Sequence, residues 1–351
     1  MVLTVRQVPS YLIRKGVFGK DDAIEVTPLG GGLLNHLFLA RSGSKRVALK
    51  QAEGVMKFNR SIRFPKERVV TEYHALKAWR ELGLKEAPEP LFLDRAEGVV
   101  CMAAVPQGYE PLIYDLLAAK VNLRVVRELG GIYGRLHSKS YQSQRLKLQF
   151  PISEAFRILK LDLYTHEYRD ATPHRSIKKA MERNAKKLVR NRVCLIHGDA
   201  LPKNVLVRGN RCFILDHEVS VFGDPAHDLA LLLGSYYMAA MVNWPVRRRY
   251  YAAMRALLRA YQRNIRFKKL FPTILRNSLG YMPSLLFGRS RGKASAEFLD
   301  TKTREVMAML ADRIALGNYK IPQLLFRMLD KQTLLASNRP WKKEQLKGRL
   351  L

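Results

Sequence analysis

The residues best suited to chemistry lie between positions 194 and 233. Two apolar, strand-like runs, 193–196 and 212–215, each end in polar residues. The first ends in His197-Gly198-Asp199, with Asn204 five residues beyond the aspartate, and the second ends in Asp216-His217-Glu218. Between them, residues 205–207 run to a turn at Arg208-Gly209-Asn210, which implies a hairpin with carboxylates gathered at one end. Packing alone asks for no carboxylate there. Buried acids need a cation, and a divalent metal is the usual one. Phosphoryl transfer uses such parts: phosphates to be neutralised, a metal to be held, and a hydroxyl to be aimed at phosphorus. Asp199, at a strand end, could accept the hydroxyl proton. Asn204 and Asp216 offer hard oxygen ligands of the kind Mg²⁺ prefers, and Glu218, two residues on in extended chain, points to the same side as Asp216.

Other elements must bring the phosphates to that cluster. Residues 24–29 read as a strand ending in Gly30-Gly31-Gly32, followed by strands over 37–41 and 47–50. A glycine-rich turn lets backbone N–H groups approach a phosphate without a Cβ in the way. Lys50 closes an apolar strand and could neutralise phosphate oxygens, and Glu72, on a helix predicted over 67–82, could hold it. Four other residues read more simply. His197 fits a buried histidine that bonds the loop backbone, and His217 a filler between two acids. Asp224, before Pro225, and Asp228, at the start of an apolar run, fit turn and helix-capping roles.

The 351 residues suffice for a large core and two lobes. Hydrophobic residues at 47% mark a globular chain. No apolar run approaches the roughly 18 residues of a membrane span, and the start lacks the long apolar region of a signal peptide. These features imply a cytoplasmic protein without a membrane partner. Three cysteines, Cys101, Cys194 and Cys212, have neither a disulfide framework nor metal-ligand spacing, and read as buried reduced thiols. Pro106-Gln107-Gly108 suggests a hinge, which places a boundary near residue 105: a first lobe over 1–105 and a second over 106–351. Beyond it, helices are predicted over 112–119, 123–137, 154–163, 176–189, 226–240, 246–265, 303–316 and 322–329, then a loosely held tail over 338–351. Charge is uneven. Residues 1–105 carry 17 Lys+Arg against 11 Asp+Glu, a net of +6, out of +32 for the chain. A basic surface attracts anions, from phosphorylated small molecules to nucleic acid.

His197–Asn204 (HGDALPKN), Ile214–Glu218 (ILDHE) and Phe222–Ala230 (FGDPAHDLA) together closely resemble the aminoglycoside phosphotransferase and choline kinase superfamily. The resemblance spans about residues 24–240. It implies an α+β, two-lobed protein-kinase-like fold, with an antiparallel sheet and one helix in the first lobe and a larger, mainly helical second lobe. It implies ATP and Mg²⁺ as cofactors, Asp199 as catalytic base, and Asn204 and Asp216 as metal ligands with Glu218 in support. Gly30, Gly31, Gly32 and Asn35 would form the nucleotide loop, with Lys50 and Glu72 as the phosphate-binding pair. Within the superfamily, residues 8–16, 49–55 and 286–310 are similar to methylthioribose kinases, which implies Arg289, with Arg291 beside it, as substrate-binding.

The implied activity is phosphorylation of a hydroxyl on a small molecule, a methylthioribose-like sugar first. An aminoglycoside- or choline-type amine is a second acceptor class, against which the basic second lobe argues. An anionic alcohol is a third, matched to Arg289, Arg291 and Lys293. A basic kinase-like scaffold that binds nucleic acid is the alternative of a different class. It is disfavoured by the intact Lys50, Asp199, Asn204 and Asp216, and by the lack of interleaved aromatics. The sequence leaves the oligomeric state open.

Overall fold

Alternation along short strands builds the first lobe. The computed structural model describes residues 2–30, 35–55, 63–293, 295–296 and 298–317. Helix α1 (Val8–Arg14) precedes strands β1 (Glu25–Leu29), β2 (Asn35–Ser42) and β3 (Lys45–Ala52). Helix α2 (Arg68–Glu81) and strands β4 (Pro90–Asp94) and β5 (Val99–Ala103) follow. The five strands form one antiparallel sheet in the order β1-β2-β3-β5-β4. Successive side chains of a strand face opposite ways. Val47 and Leu49 of β3, with Val99 and Cys101 of β5, therefore join Val8, Tyr11 and Leu12 of α1 in one core. Ala48 and Ala52, with Val100 and Met102, face Val69, Leu76 and Trp79 of α2. Lys50 has the parity of the second set, so the strand aims it at α2.

The sheet ends at Ala103. The next strand, β6 (Glu110–Pro111), pairs instead with Leu206 and Val207 of the second lobe. Residue 105, where the sequence reading divides the chain, lies in the connection between them. Helices α3 (Leu112–Leu117), α4 (Leu123–Ser140), α5 (Gln144–Gln149) and α6 (Glu154–Phe156) follow. Asn122 caps α4, its side chain accepting from Arg124 N and Val125 N. A run of π-helical turns, Arg157–His166, leads into α7 (Glu167–Ala171) and α8 (Arg175–Arg190). Short strands β7 (Cys194–Ile196), β8 (Val205–Arg208), β9 (Arg211–Ile214) and β10 (Val221–Gly223) carry the motifs. Four long helices complete the lobe: α9 (Ala226–Val242), α10 (Arg247–Asn264), α11 (Phe271–Ser290) and α12 (Thr301–Leu316). Every residue of α9 is buried, as its apolar sequence requires. Helix α10 lies against α4 so closely that a Cβ at Gly130 would stand 2.4 Å from Leu257 O, and one at Gly134 2.9 Å from Tyr261 O.

The two-lobed architecture matches the sequence expectation, and three local features differ from it. The hairpin is β8 with β9 alone, Val205 opposite Ile214, while β7 pairs with β10. The helix predicted over 154–163 is α-helical only at its start and continues in π turns. Helix α11 has no counterpart among the predicted elements: it begins at Phe271-Pro272, holds Pro283 inside, and is buried on most sides, so it shows little 3.6-residue contrast. The predicted helix over 322–329, the tail, Gly31, Gly32 and residues 56–62 of the basic loop lie outside the described residues.

Candidate active site

The parity of β3 sets the first half of the site. Lys50 Nζ lies 2.8 Å from Glu72 Oε2 on α2, 2.5 Å from Asp216 Oδ1 and 3.0 Å from Glu218 Oε2. Burial alone would lower the pKa of the ammonium. The carboxylates of Asp216, Glu218 and Glu72 outweigh it and hold Lys50 well above the ordinary lysine value. Burial has the opposite effect on Glu72, which it pushes up to about 7 against the pull of Lys50. A second buried cation, Arg68 in the first turn of α2, closes the network. Its Nε is 3.3 Å from Glu218 Oε2, and its Nη2 donates to Asn35 Oδ1 at 2.8 Å. Asn35 Nδ2 in turn donates to Glu218 Oε2 at 2.9 Å. Asn35, the first residue of β2, is thereby tied to the segment after β9.

The second half is a loop held from below. Gly198 has φ +81°, and a Cβ there would stand 2.3 Å from Val219 O, so only glycine fits between His197 and Asp199. Buried Asp228 fixes the backbone on either side of that bend. Its Oδ2 accepts from His197 N at 2.8 Å and its Oδ1 from Gly198 N at 2.9 Å. His137 Nε2, from α4, donates to the same carboxylate at 3.1 Å. Asp228 thus anchors the HGD loop, a different architectural task from the helix cap that its position suggests. Asp224 serves a turn as expected, accepting from Ala226 N at 3.0 Å, and also gathers Asn191, Asn277 and Tyr281.

Both histidines are neutral, buried and structural. His197 donates from Nε2 to Leu215 O at 3.0 Å and accepts from Asp199 N at 3.2 Å through Nδ1, and burial lowers its pKa. His217 donates to Ile214 O at 3.2 Å and packs edge-on against Trp79, and burial lowers its pKa too.

Asp199 itself is buried among cations and amides. Asn204 Nδ2 donates to its Oδ2 at 2.8 Å and to its backbone O at 3.0 Å. Lys160, from the π turns, is ion-paired with Oδ1, and Lys203 Nζ lies 3.8 Å from Oδ2. Burial would raise the carboxyl pKa. Lys160 and Lys203 outweigh it and hold Asp199 well below the usual carboxylate range.

The donor set suits a hard divalent cation. Asn204 spends Nδ2 on Asp199, which leaves Oδ1 as an oxygen donor. Asp216 is partly open and has φ +68°, a left-handed conformation that aspartate tolerates better than most residues. Carboxylate oxygens of Glu72, Asp216 and Glu218 lie within 4.8 Å of one another. These are the oxygen ligands that Mg²⁺ takes. Glu218, expected to support the metal, has Oε2 engaged by Asn35, Lys50 and Arg68, so that oxygen acts as counter-ion to two cations.

A family profile described as "Phosphotransferase enzyme family" matches residues 25–266. The chain belongs to the phosphotransferase enzyme family. Methylthioribose kinase 2 of Oryza sativa subsp. japonica is 23% identical over 265 residues, 68% of this chain and 62% of that one. The match thus spans less than two thirds of the length of this curated relative. Among solved structures, choline kinase from Cryptosporidium parvum superposes with a TM-score of 0.57 at 14% identity, covering 94% of this chain and 98% of its own. Spectinomycin phosphotransferase, in complex with ADP and spectinomycin, superposes with a TM-score of 0.55 at 14% identity, covering 92% of this chain and 100% of its own. At such identities these likenesses establish the fold.

The structure thus gathers Asn35, Lys50, Glu72, Asp216 and Glu218 in one network, and Asp199 with Asn204 beside it. Gly30 is described and borders the undescribed Gly31 and Gly32. Arg289 and Arg291 lie at the end of α11. Gly288, next to Arg289, abuts Tyr164, whose ring centroid is 5.9 Å from Lys160 Nζ. Sequence reasoning missed Lys160 and the anchoring roles of Arg68 and His137. A lone lysine in an amphipathic stretch reads as solvent-facing, so nothing local could have found Lys160.

Proposed function

We propose that the protein is an ATP- and Mg²⁺-dependent kinase that phosphorylates a hydroxyl of a small molecule. The observation that carries this reading is the adjacency of two units, joined where Leu215 N, next to Asp216, donates to Asn204 O at 2.8 Å. One is Lys50 with Glu72 and Asp216, and the other is Asp199 hydrogen-bonded to Asn204. Lys50 would neutralise nucleotide phosphate oxygens, with Glu72 holding its ammonium in place. Asn204 and Asp216 would hold Mg²⁺, which supplies charge neutralisation at the phosphates when bound. Asp199 would accept a hydrogen bond from the acceptor hydroxyl and aim it. Its low proton affinity suits a loose transition state, in which the nucleophile gives up its proton late and positioning does most of the work. Nucleotide use and three buried, unpaired cysteines fit the cytoplasm.

A methylthioribose-like sugar is the first acceptor class, supported by the 23%-identical relative and by the segment around Arg289. A specific observation favours an anionic alcohol as the second: two lysines, Lys160 and Lys203, flank Asp199. The same pair disfavours cationic amines, which would meet like charge beside the reacting hydroxyl. The test is ATP consumption against a panel of sugars, amino alcohols and anionic alcohols, for wild type and Asp199→Ala. We expect one class to stimulate turnover and the variant to lose it. Turnover by Asp199→Ala at the wild-type rate would remove Asp199 from its role.

A further inference from the structure

Three segments far apart in sequence meet at one end of the second lobe: residues 139–149, 186–193 and 265–277. A ring of contacts joins them. The rings of Tyr141 and Phe267 stack at 4.6 Å, and Arg266 N donates to Ser138 Oγ at 3.0 Å. Arg192 Nη2 donates to Lys147 O at 2.6 Å, and Gln142 N to Val193 O at 2.9 Å. Lys187 Nζ reaches Asn277 Oδ1 at 3.2 Å. Together the segments hold eleven Lys+Arg and no Asp or Glu. Lys187, Arg190, Arg266, Lys268, Lys269 and Arg276 are exposed. At the border, Glu81 pairs with Arg145 at 2.8 Å. Two leucines of these segments are exposed, Leu148 at 82% and Leu270 at 39%.

We propose that this face docks the protein on an anionic lipid bilayer. A cluster of cations gains from the negative surface potential of such a membrane, and apolar side chains among them gain by entering the headgroup boundary. The exposed leucines add apolar area to the cations of the same segments, the pairing that interfacial binding uses. Recognition of single-stranded nucleic acid would call for free aromatic platforms, whereas Tyr141 and Phe267 stack on each other. The sequence expectation of no membrane partner came from the lack of a spanning segment. Among the described residues no single helix is long and apolar enough to cross a membrane, and peripheral docking requires none. The inference stands apart from the kinase reading, since it uses none of the residues of that site.

The test is sedimentation of the full chain with vesicles of phosphatidylcholine alone, or of phosphatidylcholine with phosphatidylglycerol at about one part in three, at low and high salt. We expect partition onto the anionic vesicles at least ~100-fold above the neutral ones, falling with salt, at about fivefold per engaged cation. Lys268→Glu with Lys269→Glu should lower it by ~25-fold or more. Leu148→Ser with Leu270→Ser should lower it by about tenfold and leave the salt dependence in place. Both variants change exposed side chains and should keep the wild-type unfolding midpoint. Equal binding to neutral and anionic vesicles would overturn the proposal, as would variants that bind like wild type. Tighter binding to a duplex or single-stranded oligonucleotide, with vesicles displaced by it, would assign the face to nucleic acid instead.

Discussion

Replacing Lys160 by Met tests how far Asp199 depends on a lysine 39 residues before it. Methionine keeps the length and apolar stem of the side chain and removes the charge. Asp199 is 7% exposed, and in the variant its remaining partners are Asn204 Nδ2 at 2.8 Å and Lys203 Nζ at 3.8 Å. Removing one member of a buried ion pair costs about 3–5 kcal/mol, because the other charge stays buried. Lys203 is half exposed, so solvent screens its help. The Asn204 hydrogen bond, retained at about 1 kcal/mol, moves the expected loss toward the lower end, about 3 kcal/mol.

The pH dependence of that loss has a definite sign. In the wild type Lys160 keeps the Asp199 carboxyl well below its usual range. Its contribution is therefore fully present above the unfolded aspartate value, about 3.9, and is lost as pH falls below that value. In the variant burial becomes the main influence and raises the carboxyl, so the difference from wild type should be large at pH ~7.5 and shrink toward pH ~4. Urea unfolding of the ligand-free protein measures it. The comparison needs Lys160→Met, Asp199→Asn and the double variant. The double variant buries no unpaired carboxylate and should lie within about 1 kcal/mol of Asp199→Asn. Phosphoryl transfer by Lys160→Met should slow by about 10- to 100-fold through misplacement of Asp199. A loss below about 0.5 kcal/mol at neutral pH, or equal losses with and without Asp199, would refute the coupling.

Three further outcomes follow from the same geometry. Asp228→Ala leaves His197 N, Gly198 N and the His137 ring N–H without their shared acceptor. At about 1–3 kcal/mol per buried unpaired donor, the variant should lose about 3–9 kcal/mol in urea unfolding; wild-type stability would show that the loop is held by other means. Glu72, raised to about 7, contributes stability that is fully present below its ordinary value and lost as pH rises through the raised one. The unfolding midpoint of wild type relative to Glu72→Gln should therefore fall between about pH 4.5 and 7, and a flat difference would contradict the raised value. Lys50→Met removes the ammonium that neutralises Glu72, Asp216 and Glu218. It should bind Mg²⁺ in the absence of nucleotide more tightly than wild type, while losing nucleotide affinity. Titration calorimetry decides, and unchanged Mg²⁺ affinity would mean that the three acids do not act as one charge cluster.

How much of this site the sequence displays depends on how far apart in the chain the interacting groups lie. Asp199 and Asn204 meet because they share one loop, and Asp216 and Glu218 because they share one extended segment. Such groups advertise their chemistry through residue type and short spacing. Lys50 and Glu72 are legible for a second reason: strand parity and helix position each leave one polar residue where an apolar one would pack. The general architecture is legible too, since strand-like runs outnumber helical ones in the first 105 residues and period-3.6 runs dominate the rest. Lys160 escapes because its meaning lies in a contact across 39 residues and in π turns that no periodicity announces. Asp228 escapes in a subtler way. Its place at the head of an apolar helix matches a capping signal, and only the fold shows that the N–H groups it serves belong to His197 and Gly198, about 30 residues upstream. The basic face is the extreme case. Eleven cations in three segments read as three ordinary solvated stretches, and the absence of acids among them acquires physical meaning only once the Tyr141–Phe267 and Lys187–Asn277 contacts place those segments side by side. Charge concentrated by folding creates a field that no single segment possesses.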